Sequence, residues 1–596
     1  MSAPGDRGDG ADTGGVPSPP LQADGGRRWR SSAWFDRDDL DGFLHRAWLK
    51  TEGVSDSAFR GRPVIGICNS WSELTTCNAH LREVAQAVKR GVLQAGGLPL
   101  EFPVISLSEP FMKPTTMLFR NLMAMDVEES IRAHPLDGVV LLAGCDKTQP
   151  ASLMGAASAD VPAIVVSGGP MLNGRWRGES LGSCSDCFRF YDERRAGRIT
   201  EDEWRELESS INRSHGHCMT MGTASTMACV TEALGMGLPG GAAIPAVDAR
   251  RYQLAESAGR QVVALAQAGI RPSDILKAGA FENAVRVLHA IGGSTNAIIH
   301  LIAVAGRAGV DLPLERFDEL SETTPWLVNV KPSGRHLMEE FFSAGGVPAL
   351  MKELAELVDP DQMTVSGRTV GENIAGAEIL DGEVIARRSA PLSSDGALVV
   401  LKGNLCPDGA VIKRSAADPK LLRHEGRAVV FRDIHDLHAR VDDPDLDVEA
   451  DSVLVLQNGG PVGAPGMPEW GQLPIPKKLL RSGVTDMVRI SDARMSGTSY
   501  GAVVLHVAPE SAVGGPLAFV RTGDLVRLDV PGRRLDVMIP DEEMERRRRA
   551  WRPPADPDVR GYRKLFKEHV LQANEGCDFG FLRGRSEATE EAMTYG

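Results

Sequence analysis

Three cysteines lie in polar loops that each lead into a predicted helix. Cys145 follows the apolar run GVVLLAG at residues 138–144, Cys77 precedes a segment with helical periodicity, and Cys218 lies in GHCMTMGTA at residues 216–224. A position at the start of a helix lowers the pKa of a thiol and favours the thiolate, which is the form that binds metal. Each thiol alone could equally be a small buried hydrophobe. Together, the three loops favour a site in which thiolates hold a metal cluster.

The other cysteines give weaker signals. Cys184 and Cys187 form a CxxC pair. Without a second pair, this is a weak indication of zinc, and outside a βαβ unit it is a weak indication of redox chemistry. A zinc-binding protein built on this pair is therefore a minor alternative. The remaining cysteines are interpreted as core residues or have no partner in sequence: Cys68, Cys229, Cys406 and Cys577.

The elements that must position the three loops alternate between apolar runs and helical patterns up to about residue 371. Continuous apolar runs at 138–144 and 163–167 are typical of strands covered on both faces. Helical spacing predicts helices at about 81–92, 115–132 and 249–268. This alternation predicts a doubly wound, parallel α/β sheet. It places Cys145 at the carboxyl end of a strand, where open α/β sheets bind their ligands.

After about residue 372, the pattern changes to short apolar strands separated by Gly, Pro and Asp. Strands are predicted at residues 397–401, 428–431, 453–456, 487–490, 503–507, 525–528 and 535–539. Few helical segments intervene, so we predict a β-rich, barrel-like domain. The predicted organisation is a disordered tail at 1–27, an α/β domain at 28–380 and the β-rich domain at 381–596.

Composition excludes several classes of function. The chain of 596 residues has 66 Lys and Arg against 80 Asp and Glu, a formal charge of −14, which argues against nucleic acid as a partner. There is no run of about 18 uninterrupted apolar residues, so no membrane span is predicted. The N-terminus lacks the apolar core of a secretory signal. We therefore expect a cytoplasmic protein with reduced thiols and without a membrane or nucleic-acid partner.

A set of motifs, in one order, resembles the dihydroxy-acid and sugar-acid dehydratases, the family that includes 6-phosphogluconate dehydratase. The motifs are TCN at 76–78, GCDKT at 144–148, CMTMGTA at 218–224, GGSTN at 292–296, GAPGMPE at 463–469 and DARMSGT at 492–498. The resemblance extends from about residue 28 to the C-terminus. Three stretches look more like the sugar-acid branch, which acts on L-arabinonate or D-xylonate: HRAWLK at 45–50, SLSEPF at 106–111 and CMTMGT at 218–223.

The resemblance implies a role for each candidate site residue. Cys77, Cys145 and Cys218 would hold a [2Fe–2S] cluster through three thiolates and leave one iron position open. Ser496 would be the catalytic base, and Thr498 in the same turn would bind the substrate. Lys147 would be carbamylated, because an ammonium would repel Mg²⁺ whereas a carbamate supplies a hard oxygen ligand. The residues expected around Mg²⁺ are Glu109, Asp146, Lys147 and Glu469.

The implied reaction removes water across C2 and C3 of a 2,3-dihydroxy carboxylate and gives a 2-keto-3-deoxy acid, with the open iron and Mg²⁺ as Lewis acids. The expected substrate is an aldonic acid such as L-arabinonate or D-xylonate, and the alternative is 2,3-dihydroxyisovalerate of branched-chain amino-acid biosynthesis. The residues alone would also allow Lys147 to bind phosphate. A non-enzyme alternative is an inactive scaffold or iron–sulfur sensor, against which the intact Ser496, Lys147 and Glu469 argue. The family also implies a homodimer or homotetramer.

Overall fold

The computed structural model describes residues 29–555 and 560–584. The tail predicted at 1–27 lies outside these residues. None of the helices in the described ranges is both long and apolar enough to cross a membrane.

A four-stranded parallel sheet forms the centre of the N-terminal part. Its strands are β1 (Val64–Asn69), β2 (Leu98–Pro103), β3 (Gly138–Ala143) and β4 (Ala163–Ser167), in the order β2-β1-β3-β4. Every residue of β1, β3 and β4 is buried, as expected for strands covered by helices on both faces. The parallel α/β sheet predicted from the apolar runs is thus confirmed. A short antiparallel ribbon follows, formed by β5 (Gly174–Trp176) and β6 (Glu179–Leu181).

Helices surround this sheet and include those predicted from helical spacing. Two of them, α4 (Leu81–Gln94) and α10 (Ala249–Ala268), pack backbone against backbone. A Cβ at Gly91 would overlap the Glu256 carbonyl oxygen, and one at Gly259 would overlap that of Val88. The helices, in chain order, are α1 (Ser32–Phe35), α2 (Leu40–Leu49), α3 (Asp56–Phe59), α4 (Leu81–Gln94), α5 (Met117–Ala133), α6 (Thr148–Ala159), α7 (Ser183–Arg195), α8 (Glu201–Ile211), α9 (Thr223–Ala233), α10 (Ala249–Ala268), α11 (Pro272–Ile275), α12 (Ala278–Ala290), α13 (Asn296–Ala308), α14 (Leu314–Thr323), α15 (Met338–Ser343), α16 (Gly346–Glu353) and α17 (Val370–Ile374).

The C-terminal part is a barrel-like sheet of eight strands in the described residues. The strands are β7 (Leu398–Leu401), β8 (Gly409–Lys413), β9 (Arg423–Phe431), β10 (Val453–Leu456), β11 (Arg489–Ser491), β12 (Val503–Ala508), β13 (Leu525–Asp529) and β14 (Arg534–Val537). Their order is β14-β13-β9-β10-β11-β12-β8-β7. Neighbours from β9 to β12 are parallel and the other pairs are antiparallel. The helices of this part are α18 (Ile434–Arg440), α19 (Lys477–Arg481), α20 (Asp541–Ala550) and α21 (Gly561–His569).

The two edges of this sheet meet and nearly close the barrel. Just after β7, the amide of Lys402 donates to the carbonyl oxygen of Arg533 at 3.0 Å, and the amide of Leu535 donates to the carbonyl oxygen of Lys402 at 3.0 Å. The barrel-like prediction is confirmed, and each of the seven predicted strands is present. The strand β8 was not predicted, because its apolar run spans only residues 410–412 between Gly409 and Lys413.

The C-terminal segment returns to the N-terminal part. Phe566 and Phe579 pack against Leu118 of α5. Arg307 of α13 donates from Nε and Nη2 to the two carboxylate oxygens of Asp578 at 2.6 and 3.2 Å, and both side chains are buried. These contacts join the two parts, while the domain limits at 28–380 and 381–596 stay predictions.

We predict that Arg307→Ala lowers the free energy of unfolding by about 3–5 kcal/mol, because it leaves the Asp578 carboxylate buried without its partner. Urea denaturation measures this loss. The matched control is Arg316→Ala, which breaks the exposed ion pair with Glu282 and should cost about 0–1 kcal/mol. Equal losses in the two variants would contradict the prediction.

Lys413 is a buried lysine at the end of β8, and its amine has no hydrogen-bond partner among the described residues. Val411, two residues earlier on the same face of the strand, belongs to the main hydrophobic core. Burial lowers the pKa of Lys413 to about 7 from 10.5. The folded protein therefore holds this amine neutral at pH values where the unfolded chain still binds a proton.

We predict that the Lys413 contribution makes the free energy of unfolding rise with pH between about 7 and 10.5, because the unfolded state binds more protons in that window. Lys413→Met should remove this contribution and stabilise the protein near pH 7. Urea unfolding across a series of pH values measures the slope. Lys420→Met, at an exposed position, is the control and should keep the wild-type slope. An unchanged slope in Lys413→Met would refute the expectation.

Candidate active site

Cys145 lies where the sequence places it, in the loop from β3 to α6 at the carboxyl edge of the sheet. The loop is a tight turn. The Thr148 hydroxyl accepts a hydrogen bond from the Cys145 amide and donates one to the Cys145 carbonyl oxygen, both at 2.9 Å. Gly144 allows the neighbouring loop to approach, because a Cβ there would lie 2.7 Å from Asn78 Oδ1 and 2.8 Å from the Cys77 carbonyl oxygen.

The structure brings Cys77, Cys145 and Cys218 together. Cys77 lies in the 3₁₀ turn Thr76–Asn78 before α4, and Cys218 lies just before α9. A hydrogen bond to the Cys145 thiol, then burial, then the charges of Cys145, Cys218 and Asp146 raise the pKa of Cys77 well above its ordinary value. The Cys77 and Cys145 side chains are buried and that of Cys218 is half-buried, so neighbouring thiolates here would repel one another without a positive group among them. The donor set therefore fits a cationic metal cluster.

A fourth cysteine, Cys184, lies near Cys218. Cys184 is the second residue of α7, and interaction with Cys218 lowers the pKa of its thiol. The next residue, Ser185, donates from its hydroxyl to the Thr498 carbonyl oxygen at 2.7 Å. Cys187, one turn later, packs instead with Trp176, Leu181 and other apolar side chains. The CxxC sequence therefore does not make a paired site. The spacing of these two cysteines did not indicate that Cys184 would lie near one of the other three.

The expected Mg²⁺ residues form a second cluster, centred on Lys147. The Lys147 Nζ lies 2.6 Å from Asp146 Oδ2, 3.3 Å from Glu109 Oε2 and 3.3 Å from Glu469 Oε1. The lysine side chain is completely buried. Burial and the positive charge of Arg494 lower the pKa of Lys147. The three carboxylates raise it by more, so the pKa of Lys147 lies above its ordinary value.

The two glutamates respond differently to this environment. Burial raises the pKa of Glu109, although Lys147 lowers it. The pKa of Glu469 is lowered despite burial, because Lys147 and Arg494 both act on it. The Arg494 guanidinium donates to Glu469 Oε1 at 3.0 Å, and the Asn296 amide donates to the same oxygen at 3.1 Å.

The described residues contain no group of three or more His, Cys, Asp or Glu side chains already arranged around a metal position. The Lys147 ammonium stands between the carboxylates. A carbamate on this nitrogen would replace the positive charge with an anionic oxygen donor and leave an all-oxygen set, which is what Mg²⁺ requires. The residues therefore fit the ion only in the modified state of Lys147.

Ser496 and Thr498 come from the barrel, in the loop between β11 and β12. The Ser496 and Thr498 hydroxyls lie 2.8 Å apart, and the Thr498 amide donates to Ser496 Oγ at 3.4 Å. Gly497 fits against the N-terminal part so closely that a Cβ would lie 2.6 Å from both Ser294 Oγ and the Thr223 amide nitrogen. The barrel thus brings this loop against the start of α9, beside Cys218.

The site lies between the two parts of the chain, since Glu469 and Ser496 come from the barrel and Lys147 from the α/β part. Asn296 and Arg494 were not among the predicted site residues, although both lie inside motifs that carry the resemblance. Each is fully buried, and Asn296 also bonds the Met495 carbonyl oxygen at 3.0 Å. Buried polar side chains within such motifs are the signal that could have identified them.

Comparisons with known proteins identify the family of this chain. Residues 62–373 match the model of the dihydroxy-acid/6-phosphogluconate dehydratase N-terminal domain, and residues 383–577 match that of its C-terminal domain. The chain belongs to this dehydratase family. It is 54% identical to the L-arabonate dehydratase of Azospirillum brasilense over 94% of this chain and 97% of the relative.

Two further relatives are named for other substrates. Identity is 50% with the 6-deoxy-6-sulfo-D-gluconate dehydratase of Pseudomonas putida, over 93% of this chain and 96% of the relative. It is 41% with the dihydroxy-acid dehydratase of Acetivibrio thermocellus, over 89% and 97%. Since its relatives are dehydratases, this member of the family is a hydro-lyase.

We predict that Gly497→Ala destabilises the protein by about 1–3 kcal/mol, the usual cost of forcing a methyl group into a packed site. Gly376→Ala is the matched control, because a Cβ at Gly376 meets nothing within 4 Å. Urea unfolding compares the two variants. If Gly497→Ala were as stable as Gly376→Ala, the close packing of the Ser496 loop would be wrong.

Proposed function

We propose that this dehydratase depends on a [2Fe–2S] cluster and Mg²⁺ and converts an aldonic acid, such as L-arabinonate or D-xylonate, into a 2-keto-3-deoxy acid. The observation that carries the proposal is the contact between the two clusters. Cys145 and Asp146 are adjacent in the chain, and Cys145 Sγ lies 3.6 Å from Asp146 Oδ1. The proposed thiolate ligands and the proposed carboxylate ligands are therefore adjacent at this point of the site.

The chain's own residues divide between the two groups. Cys77, Cys145 and Cys218 would hold the cluster, and Glu109, Asp146, Glu469 and a carbamylated Lys147 would hold Mg²⁺. The chemistry these groups supply when bound is Lewis acidity, at the departing hydroxyl and at the substrate carboxylate and its 2-hydroxyl.

Ser496 is the proposed base that takes the C2 proton. A serine hydroxyl is weakly basic as an alcohol, so its alkoxide must be stabilised. The Thr498 amide and hydroxyl both lie within reach of Ser496 Oγ, and both can donate to an alkoxide there. Thr498 therefore supports the base, in addition to its expected contact with the substrate.

Arg494 and Asn296 position Glu469. Both donate to its Oε1, so the orientation of this carboxylate is fixed from two sides. Fixing a ligand before the substrate arrives lowers the reorganisation needed during the reaction. The same two residues link the 463–469 loop, the 292–296 turn and the loop that carries Ser496.

The sugar-acid assignment rests on the relatives. Identity is 54% with an L-arabonate dehydratase and 50% with a sulfogluconate dehydratase, against 41% with a dihydroxy-acid dehydratase. The proposed partner is thus a small polyhydroxy acid. Cytoplasmic location and assembly into a homodimer or homotetramer remain predictions.

The decisive assay measures 2-keto acid formation by the anaerobically purified holoenzyme, supplied in turn with pentonates, hexonates and 2,3-dihydroxyisovalerate. We expect turnover of a pentonate and the visible absorption of an iron–sulfur protein. A clear preference for 2,3-dihydroxyisovalerate would instead assign the enzyme to branched-chain amino-acid biosynthesis. A colourless protein that turns over nothing in the panel would contradict the proposal.

We predict that Ser496→Ala keeps the visible spectrum but loses turnover by about 10²–10⁴-fold, the usual contribution of a general base. Ser499→Ala is the matched control in the same loop. The Ser499 hydroxyl is buried and has no hydrogen-bond partner among the described residues, so its removal should leave turnover unchanged. Full turnover in Ser496→Ala would exclude this serine as the base.

A further inference from the structure

Glu510 is a buried glutamate that the proposed function does not use. It lies just after β12, and the residue is 1% exposed. Its carboxylate accepts from the backbone amides of two consecutive residues, Val462 at 2.9 Å and Gly463 at 2.8 Å. Burying a carboxylate is costly unless its oxygens are hydrogen-bonded, so these amides are among the partners that allow it to lie here.

Both amides belong to the loop at 457–469, which carries Glu469. This loop follows β10, the loop with Ser496 follows β11, and Glu510 follows β12. The neighbouring pairs β10–β11 and β11–β12 are parallel, so all three segments leave the same edge of the barrel. The strand order therefore places the Glu510 carboxylate beside the loop that bears an expected Mg²⁺ residue.

The loop is compact between its contact with Glu510 and Glu469. The Ala464 amide donates to the Gly460 carbonyl oxygen at 2.9 Å, and the Met467 amide donates to the Ala464 carbonyl oxygen at 2.7 Å. The first of these turns packs directly on Glu510, because a Cβ at Gly460 would lie 2.6 Å from Glu510 Cβ. A displacement at the Glu510 end of the loop is therefore passed to Glu469 through two short turns.

Gln572 of the C-terminal segment holds the same glutamate from another side. Its side-chain amide donates to Glu510 Oε1 at 2.9 Å and accepts from the Glu510 backbone amide at 2.9 Å. These two bonds fix the orientation of both side chains. The segment is itself held to α5, because Arg120 donates to the carbonyl oxygens of Gly576 and Cys577, both at 2.9 Å. A contact with the N-terminal part thus supports the Glu469 loop of the barrel.

We propose that Glu510 and Gln572 are positioning residues, which hold the loop so that Glu469 presents its carboxylate to Mg²⁺. The inference rests on the proposed function. Glu510 acts through the two backbone amides that it accepts from, and Gln572 acts through Glu510. Residues that orient a metal ligand without touching the metal commonly change metal affinity by about 10–100-fold when they are replaced.

The test titrates Mg²⁺ by calorimetry into wild type, Glu510→Gln, Gln572→Met and the double variant. Each is the anaerobically purified holoenzyme, transferred to Mg²⁺-free buffer with bicarbonate to retain the proposed carbamate. Burial and the nearby charge of Asp492 raise the pKa of Glu510 to about 7, so the titrations are run at about pH 8, where this carboxylate is ionised. Hydrogen–deuterium exchange of the loop at 457–469 and urea unfolding are measured on the same samples.

Glu232→Gln is the matched control. The Glu232 carboxylate also accepts from two backbone amides, those of Gly240 at 2.6 Å and Ala242 at 2.9 Å, and burial raises its pKa to about 7 as well. It lies near the end of α9, whereas Cys218 lies just before the start of that helix. A loss of Mg²⁺ affinity that comes only from weakening a buried carboxylate would therefore appear in both variants.

We expect Glu510→Gln to weaken Mg²⁺ binding by about 10-fold and to speed exchange in the loop, because a side-chain amide replaces one acceptor oxygen with a donor. Gln572→Met should weaken binding by a smaller factor. The double variant should resemble Glu510→Gln, since Gln572 acts through Glu510. Glu232→Gln should bind Mg²⁺ as wild type does.

Wild-type affinity and loop exchange in Glu510→Gln, or equal losses of affinity in Glu510→Gln and Glu232→Gln, would overturn the positioning role. If Glu510→Gln does not fold, Gln572→Met decides the question, and unchanged affinity and loop exchange in that variant would overturn the role. A wild-type holoenzyme that binds no Mg²⁺ gives a different result, because it would overturn the proposed function itself.

Discussion

A fully buried ammonium is stable only with opposite charge beside it, and for Lys147 before its proposed carbamylation that charge comes from both parts of the chain. Asp146 and Glu109 belong to the α/β part and Glu469 to the barrel. Docking of the barrel therefore completes the electrostatic compensation of a residue in the other domain. The same docking places the Ser496 loop against the start of α9. Formation of the charge cluster and assembly of the site are thus one event.

The sequence predicted those features that depend on local pattern. Continuous apolar runs identified β3 and β4, and short small-residue loops after β3 and before α4 and α9 placed the three cysteines correctly at element ends. The strands of the barrel followed from their alternation with turn residues, except β8, whose apolar run of three residues is too short to stand out. The sequence pattern did not show which strands close the barrel, because closure depends on backbone pairing between residues 402 and 533–535.

Contacts between distant residues could not be predicted in the same way. Asn296 and Arg494 orient Glu469 only after three loops have come together. The start of α7 likewise contacts Met219 and Thr498, which are distant from it in sequence, only in the folded chain. A CxxC spacing describes four consecutive residues on a helix and contains no information about a thiol 34 positions later in the chain. The two side chains have different surroundings on the helix. Cys184 lies near Cys218, whereas Cys187 packs in an apolar cluster.

The return of the C-terminal segment to α5 and α13 has a consequence for how the protein is made. Arg307 meets Asp578 across 271 residues of chain, and Arg120 bonds the carbonyl oxygens of Gly576 and Cys577. While the ribosome is still translating the barrel, these two buried guanidinium groups have their partners in the N-terminal part, such as Glu128 for Arg307, but lack those in the C-terminal segment. The N-terminal part therefore gains its full set of buried partners only after the residues up to Asp578 have left the ribosome.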